Sequence, residues 1–274
     1  MSIVLFATNK EIPIKYSTFP AGECYVKLED AEEVAQHSQF TIIVTAADAE
    51  TIMRILLIAD AIRAIVVAPY IVARFDYLPY GRQDRVCSKG ESFSLKVFSD
   101  ILATRIDKVV SYDIHSEVGS NLFTDYGLPY TRKFINVDTG VSAFLKDMLP
   151  TGRKTLVLSP DAGAKKRMEK FKHALQLSDG HTAYKERTSE GITTYLQKSA
   201  KLTAAEVIII PDDICDGGGT FLALEKEIRK HNSTAILVLV ISHGIFSKGT
   251  KPLTDKFTVL VTDDDYNNRR LQAL

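Results

Sequence analysis

The sequence predicts an α/β protein of two domains, each a mainly parallel sheet flanked by helices. Three observations carry that reading. Strand-length apolar runs rich in β-branched residues alternate with helix-period segments almost from end to end. The runs are apolar on both faces, as strands buried between helix layers must be. The alternation restarts near the middle of a chain of 274 residues, a length that suits about two domains.

Taken in order, Thr41 to Val44 reads as a buried strand and Thr51 to Ile62 as a helix packed along Ile52, Leu56 and Ala59. Ile65 to Val67 reads as a second buried strand, Ser94 to Thr104 as a helix and Lys108 to Tyr112 as a strand. After the restart, Val141 to Leu149 reads as a helix, Thr155 to Leu158 as a strand, Asp161 to Phe171 as a helix and Val207 to Ile210 as a strand. Gly219 to His231 follows as a helix with Phe221, Leu224 and Ile228 on one face, and Ala235 to Ile241 closes the series as a strand. The join falls near Asn136 to Gly140, which gives domains 1–138 and 139–274. Phe75 to Glu91 and Gln176 to Gly191 break the pattern and read as long irregular segments, the kind that most often carry function.

Composition narrows the function classes. Hydrophobic residues make up 45% and charged residues 25%, the proportions of a soluble globular protein. Lys and Arg (34) balance Asp and Glu (34), which argues against a nucleic-acid binder built on a strong basic field. No secretory leader is visible at Met1-Ser2-Ile3-Val4, and the longest apolar runs fall far short of a membrane span. Cys24, Cys87 and Cys215 lack paired spacing, so neither disulfides nor a structural zinc site is expected, and a cytoplasmic setting fits best.

The sharpest chemical signal runs from Val207 to Thr220. A buried strand delivers Asp212 and Asp213 to its carboxyl edge, where α/β sheets bind ligands. Cys215 and Asp216 lead into Gly217, Gly218 and Gly219. This glycine turn lets loop and helix N–H groups point at an anion, and Thr220 adds a hydroxyl. The order suits phosphate contacts from Gly217 to Thr220 and sugar-hydroxyl contacts from the acids; a glycine turn with an acidic cap is the plain structural alternative.

That loop resembles the phosphoribosyl diphosphate (PRPP) loop of type I phosphoribosyltransferases and PRPP synthetases. Phe19-Pro20-Ala21-Gly22-Glu23, Tyr80-Gly81-Arg82-Gln83-Asp84-Arg85, Tyr112-Asp113-Ile114-His115-Ser116, Ser159-Pro160-Asp161-Ala162-Gly163 and Ser242-His243-Gly244-Ile245-Phe246-Ser247 occur in PRPP-synthetase order. Together they make the chain similar to the ribose-phosphate diphosphokinase family from about Phe19 to Thr262. The resemblance implies two phosphoribosyltransferase-like domains, with ATP-binding segments in the first and the sugar-phosphate and catalytic loops in the second. It implies transfer of the β,γ-diphosphate of ATP to the C1 hydroxyl of ribose 5-phosphate, giving PRPP and AMP, with Mg2+ as cofactor.

By resemblance, Arg82 and Gln83 contact ATP, and Phe19 and Glu23 hold adenine across a subunit boundary, which implies a homo-oligomer, a dimer at least. His115 and Asp161 ligate or position Mg2+. Lys185 and Arg187 match the Lys-x-Arg of a flexible catalytic loop and are expected to share a face at i and i+2. The sugar-phosphate group comprises Asp212, Asp213, Asp216, Gly217, Gly218, Gly219 and Thr220. Taken without the resemblance, Phe19 reads as core, and Arg85, Lys185 and Arg187 read as solvated charge.

Three departures from the family stand out. Ala21 replaces a polar residue of the adenine segment, which loosens the expectation of ATP specificity. Gly217 replaces a Thr, removing a hydroxyl and freeing space near the 5′ substituent. The chain ends at Leu274, where typical members continue. The space at Gly217 leaves open an acceptor such as ADP-ribose, with the product serving NAD synthesis. A non-catalytic regulatory homologue is the alternative of another class; retention of His115, Asp161, Lys185, Arg187 and the 212–220 loop argues against it. A plain phosphoribosyltransferase leaves the first domain without a purpose.

Overall fold

The computed structural model describes residues 3–45, 48–133, 152–188, 191–262 and 271–274. The chain divides into two compact units, Met1–Phe134 and Ile135–Leu274. In the first, the order is β1 (Ile3–Ala7), β2 (Lys10–Ile12), β3 (Ile14–Thr18), β4 (Cys24–Leu28), α1 (Ala31–Val34), β5 (Gln39–Val44), α2 (Ala49–Ile65), β6 (Tyr70–Phe75), α3 (Ser94–Ala103), β7 (Lys108–Tyr112), α4 (Glu117–Asp125) and β8 (Tyr130–Lys133). Six strands form one sheet in the order β2-β1-β5-β6-β7-β8. From β5 to β8 the pairing is parallel, and β1 runs antiparallel to β2 and β5. β3 and β4 make a separate antiparallel hairpin.

Helix α2 shows why local sequence and packing agree here. Asp48 caps it, its Oδ1 accepting from the Thr51 N–H at 2.8 Å, a device whose loss costs about 1 kcal/mol. Its buried face is Thr51, Ile55, Ile58, Ala59 and Ile62; Ile52 and Leu56, expected at the centre of that face, pack at its edge, partly buried. The expected strand at Ile65 to Val67 does not form. Ile65 ends α2, the Val66 N–H still donates to the Ile62 carbonyl at 2.9 Å, and Val67 is 96% exposed. The strand that follows starts at Tyr70.

The second unit contains β9 (Thr155–Ser159), α5 (Lys165–Ala174), β10 (Gly180–Thr182), β11 (Tyr184–Thr188), β12 (Gly191–Tyr195), α6 (Ala200–Ala204), β13 (Val207–Cys215), α7 (Gly219–His231), β14 (Ile236–Gly244), α8 (Lys251–Thr254), β15 (Thr258–Thr262) and β16 (Leu271–Ala273). Its six-stranded sheet has the order β10-β9-β13-β14-β15-β16, parallel except for the β15–β16 pair. Both faces are covered by apolar side chains. Ile208, Ile210, Leu237 and Leu239 pack with Leu224 and Ile228 of α7, while Val207, Ile209, Val238 and Val240 pack with Met168 and Phe171 of α5. This two-sided burial is the reason the strands read as continuous apolar runs.

Three expected boundaries shift. The helix expected at Asp161 to Phe171 starts at Lys165, because Asp161 to Ala164 form a turn ahead of it. β13 extends beyond Ile210 to Cys215, since pairing with β14 continues through Asp212, Ile214 and Cys215. Pro211 is tolerated there because β9 pairs only as far as Ile209. The stretch read as irregular from Gln176 to Gly191 contains β10 and β11, and β11 pairs antiparallel with β12, which starts at Gly191. The expected helix at Val141 to Leu149 and the join at Asn136 to Gly140 lie outside the described residues. No described helix is long and apolar enough to cross a membrane.

Candidate functional site

In the second unit, the carboxyl ends of β9, β13 and β14 gather most of the residues singled out in the sequence. β13 carries Asp212 and Asp213 in its last turn-ward residues, with Asp213 7% exposed. The Asp213 N–H donates to Asp212 Oδ1 at 2.9 Å. Burial, then the neighbouring Asp213 charge, pushes the Asp212 carboxyl well above the ordinary carboxylate range, with Arg167 opposing the shift. Burial and the charges of Asp212 and Asp216 push the Cys215 thiol up to about 12. Cys215 therefore stays protonated at neutral pH and serves as core, not as a nucleophile.

The chain then turns through Asp216, Gly217 and Gly218 into α7. Gly218 takes the left-handed conformation, φ 72°, and caps the helix without a side-chain hydrogen bond. No acidic residue occupies the first turn, whereas Arg229, Lys230 and His231 fill the last one. The helix N-terminus is thus uncapped by side chains and carries the positive end of the dipole. Thr220 stands in its first turn, partly buried.

Asp161 follows β9. Its Oδ1 accepts from the Ala164 N–H at 3.1 Å, and its Oδ2 accepts from Lys185 Nζ at 2.6 Å. Burial pushes this carboxyl up, but the bond and charge of Lys185, with help from backbone N–H groups, hold it below the ordinary range. Lys185 lies on β11 opposite Thr194, and Arg187 stands two positions on, opposite Ile192. The two positions are thus two apart along one strand of the pair.

In the first unit, Phe19 and Glu23 stand at the two ends of the β3–β4 connection. The Phe19 N–H donates to the Glu23 carbonyl at 2.8 Å. Phe19 is 55% exposed, with its ring edge-on to Tyr25 at 5.8 Å, so it is not core. Arg82 and Gln83 are exposed on the long segment after β6, which is irregular as expected. Arg85 is not simply solvated: Nε and Nη2 pair with Oδ1 and Oδ2 of the buried Asp84 at 2.8 and 3.1 Å. Arg85 holds the Asp84 carboxyl low against burial, and the nearby His115 adds to the effect. His115 is exposed just beyond β7, after Asp113 in the left-handed region at φ 41°. The Arg82-to-Arg85 segment and His115 thus belong to one neighbourhood at the carboxyl edge of this sheet.

Among the described residues, no three His, Cys, Asp or Glu side chains are grouped to hold a metal ion. Asp161 nonetheless fits Mg2+. Its oxygen already takes a cation, the Lys185 ammonium, and Mg2+ is commonly held by one or two carboxylates with waters and substrate phosphates completing its shell.

Residues 3–105 match the family described as the N-terminal domain of ribose phosphate pyrophosphokinase. A ribose-phosphate pyrophosphokinase of Pyrococcus abyssi is 29% identical over 244 residues, covering 87% of this chain and 78% of that one. One of Mycoplasma pneumoniae is 29% identical over 240 residues, covering 85% and 68%. The chain is thus similar to ribose-phosphate pyrophosphokinases over most of its length, and its first part matches their N-terminal domain. Its fold matches that of a phosphoribosylpyrophosphate synthetase from Mycobacterium smegmatis with a TM-score of 0.74 at 21% identity, over 92% of this chain and 80% of that one.

Beside Gly217 runs the aliphatic stem of the exposed Lys248, with Cδ and Cε 3.3 and 3.4 Å from where a Cβ on Gly217 would stand. Lys248 follows the Ser242 to Ser247 motif and was invisible as a site residue, because only the fold carries it across the glycine loop. Arg167, whose charge acts on Asp212, was hidden in the same way within a basic helix.

Proposed function

We propose that the protein transfers the β,γ-diphosphate of ATP to the C1 hydroxyl of ribose 5-phosphate, forming PRPP and AMP. The observation that carries this reading is the pair Asp212–Asp213 at a sheet's carboxyl edge, leading directly into an uncapped, glycine-opened helix N-terminus. Acids accept hydrogen bonds from ribose hydroxyls; the helix N–H groups and Thr220 donate to a phosphate. The similarity to proteins named ribose-phosphate pyrophosphokinase supports the same substrates.

In the reaction, the C1 oxygen attacks the β-phosphorus in line, and the bond from that phosphorus to the α-bridging oxygen breaks. AMP leaves with the bridging oxygen, and the C1 hydroxyl gives up its proton. Such transfers ask a protein mainly for positioning and neutralisation of charge. Asp212 and Asp213 orient the ribose. Arg82 and Gln83 engage the ATP phosphates and nucleotide, Arg82 by a fork suited to phosphate oxygens. Phe19 offers an exposed ring for adenine, with Glu23 beside it. Lys185 and Arg187 supply positive charge on a hairpin strand. Asp161, and by resemblance His115, would be the residues to hold Mg2+, which would neutralise phosphate charge.

Incubation with ATP and Mg2+ is expected to release AMP only when ribose 5-phosphate is present, with PRPP identified by mass. Release of ADP instead means that a single phosphoryl group moves and overturns the reaction type.

A homo-oligomer is part of the same reading, because Phe19 and Glu23 are assigned to an adenine site completed by a second copy. A monomeric sample is expected to keep less than about a tenth of the specific activity, the loss of one well-placed binding contact or more. Full activity in a sample that light scattering finds monomeric removes that assignment.

A further inference from the structure

The segment after β14 is built around one feature that the reading above does not use. Ile245 and Phe246 donate their N–H groups to the Cys215 carbonyl at 2.8 and 3.1 Å, tying this segment to the end of β13. Phe246 adopts φ 48°, and its ring lies against Gly244 so closely that a Cβ there would stand 2.0 Å from Cε2. Gly249, at φ 75°, donates to the Phe246 carbonyl at 2.8 Å and closes the turn. The turn lays Lys248 across Gly217, its Cγ, Cδ and Cε lying 3.6, 3.3 and 3.4 Å from a Cβ built there. Leu253 of α8 does the same at Gly218, at 3.1 to 3.2 Å.

We propose that Lys248 is a specificity-determining residue that binds the terminal phosphate of the acceptor and favours a dianionic phosphomonoester over a diester. The inference rests on the sugar-phosphate role assigned above to the 216–220 loop. Gly217 offers an incoming phosphate only its backbone N–H, and Asp213 and Asp216 lie close by in the chain, where negative charge repels an anion. The helix N-terminus supplies partial positive charge, whereas an ammonium supplies a full one. Lys248 forms no ion pair with any acid among the described residues, and the carbons of its exposed side chain run beside Gly217. Beyond its chain neighbours, the side-chain atoms nearest to a Cβ built on Gly217 are therefore on the stem of a cationic residue. A terminal phosphate with two charges gains more from it than a phosphate already esterified.

Calorimetry of ribose 5-phosphate binding to the wild-type chain and to Lys248→Met tests this, since Met keeps an apolar stem and removes the charge. The Kd is expected to rise roughly 10- to 100-fold in the variant, the scale of a lost bond to a charged group. Steady-state KM for ribose 5-phosphate should rise in parallel, with kcat within about threefold, as for loss of uniform binding. Equal affinity in the two proteins, or no binding by the wild type, overturns the inference. A wild type that binds ribose 5-phosphate through Lys248 but forms no AMP overturns the diphosphokinase reading and leaves Lys248 in its role.

Discussion

Lys185→Ala is expected to lower kcat by roughly 10²- to 10³-fold, the cost of removing one positioned stabiliser of transition-state charge. The fold offers a competing account, because Lys185 pairs with Asp161 at 2.6 Å. Magnitudes separate the two. The side chains are 26% and 32% exposed, and pairs so open to solvent contribute about 0–1 kcal/mol. Loss of that pair should lower Tm by no more than about 2–4 °C. The small stability term has a defined pH dependence. The Asp161 carboxyl is held below its ordinary range, so its contribution is present above the unfolded-state pKa and is lost as pH falls through the lower folded one. The Tm difference between wild type and variant should therefore be seen at pH 7 and close in acid. Saturating kinetics beside a melting curve decide the matter: near-normal kcat with a large drop in Tm would make Lys185 a structural residue.

How much of this was legible in the sequence depends on what sets each feature. Strands buried on both faces were readable, because Ile208 to Ile210 and Leu237 to Ile241 are apolar at every position. Gly219 to His231 was readable to the residue, since a glycine turn opens it and apolar positions recur at helical spacing. Ile65 to Val67 was misread, because an apolar triplet looks the same at a helix end as in a strand. The β11–β12 hairpin was missed for the opposite reason: its strands are polar, and its pairing register is a property of two segments together. The carboxylates and loop cations were singled out through residue order. Lys248 was not, since contact with Gly217 depends on Phe246 in a left-handed turn held by the Cys215 carbonyl. Nothing in the local pattern of Ser247-Lys248-Gly249 encodes that contact.

Asp212→Asn is expected to abolish most activity while making the protein more stable at neutral pH. Burial and the adjacent Asp213 raise the Asp212 carboxyl well above the ordinary range, so ionising it in the folded state is unfavourable. The sign follows from proton binding. Between the unfolded-state and folded-state values, the native chain holds a proton that the unfolded chain has released, so stability falls as pH rises through that window. Asparagine cannot ionise and keeps the oxygen that accepts from the Asp213 N–H at 2.9 Å. Tm at pH 7 should rise by roughly 2–4 °C, the effect of about 1 kcal/mol in a unit of this size, and the downward slope from acid to neutral pH should flatten. Function moves the other way. The carboxylate accepts from ribose hydroxyls, and an amide turned to keep its oxygen on the backbone presents N–H groups to those hydroxyls. A lost bond to a charged group costs about 1.5–3 kcal/mol, so kcat/KM for ribose 5-phosphate should fall about 10²-fold. The wild-type acidic limb of kcat/KM should also lie above the ordinary carboxylate range, because protonated Asp212 donates where it must accept. A variant that melts lower than the wild type at pH 7 yet keeps its kcat/KM would make Asp212 a structural residue and take the ribose out of its reach.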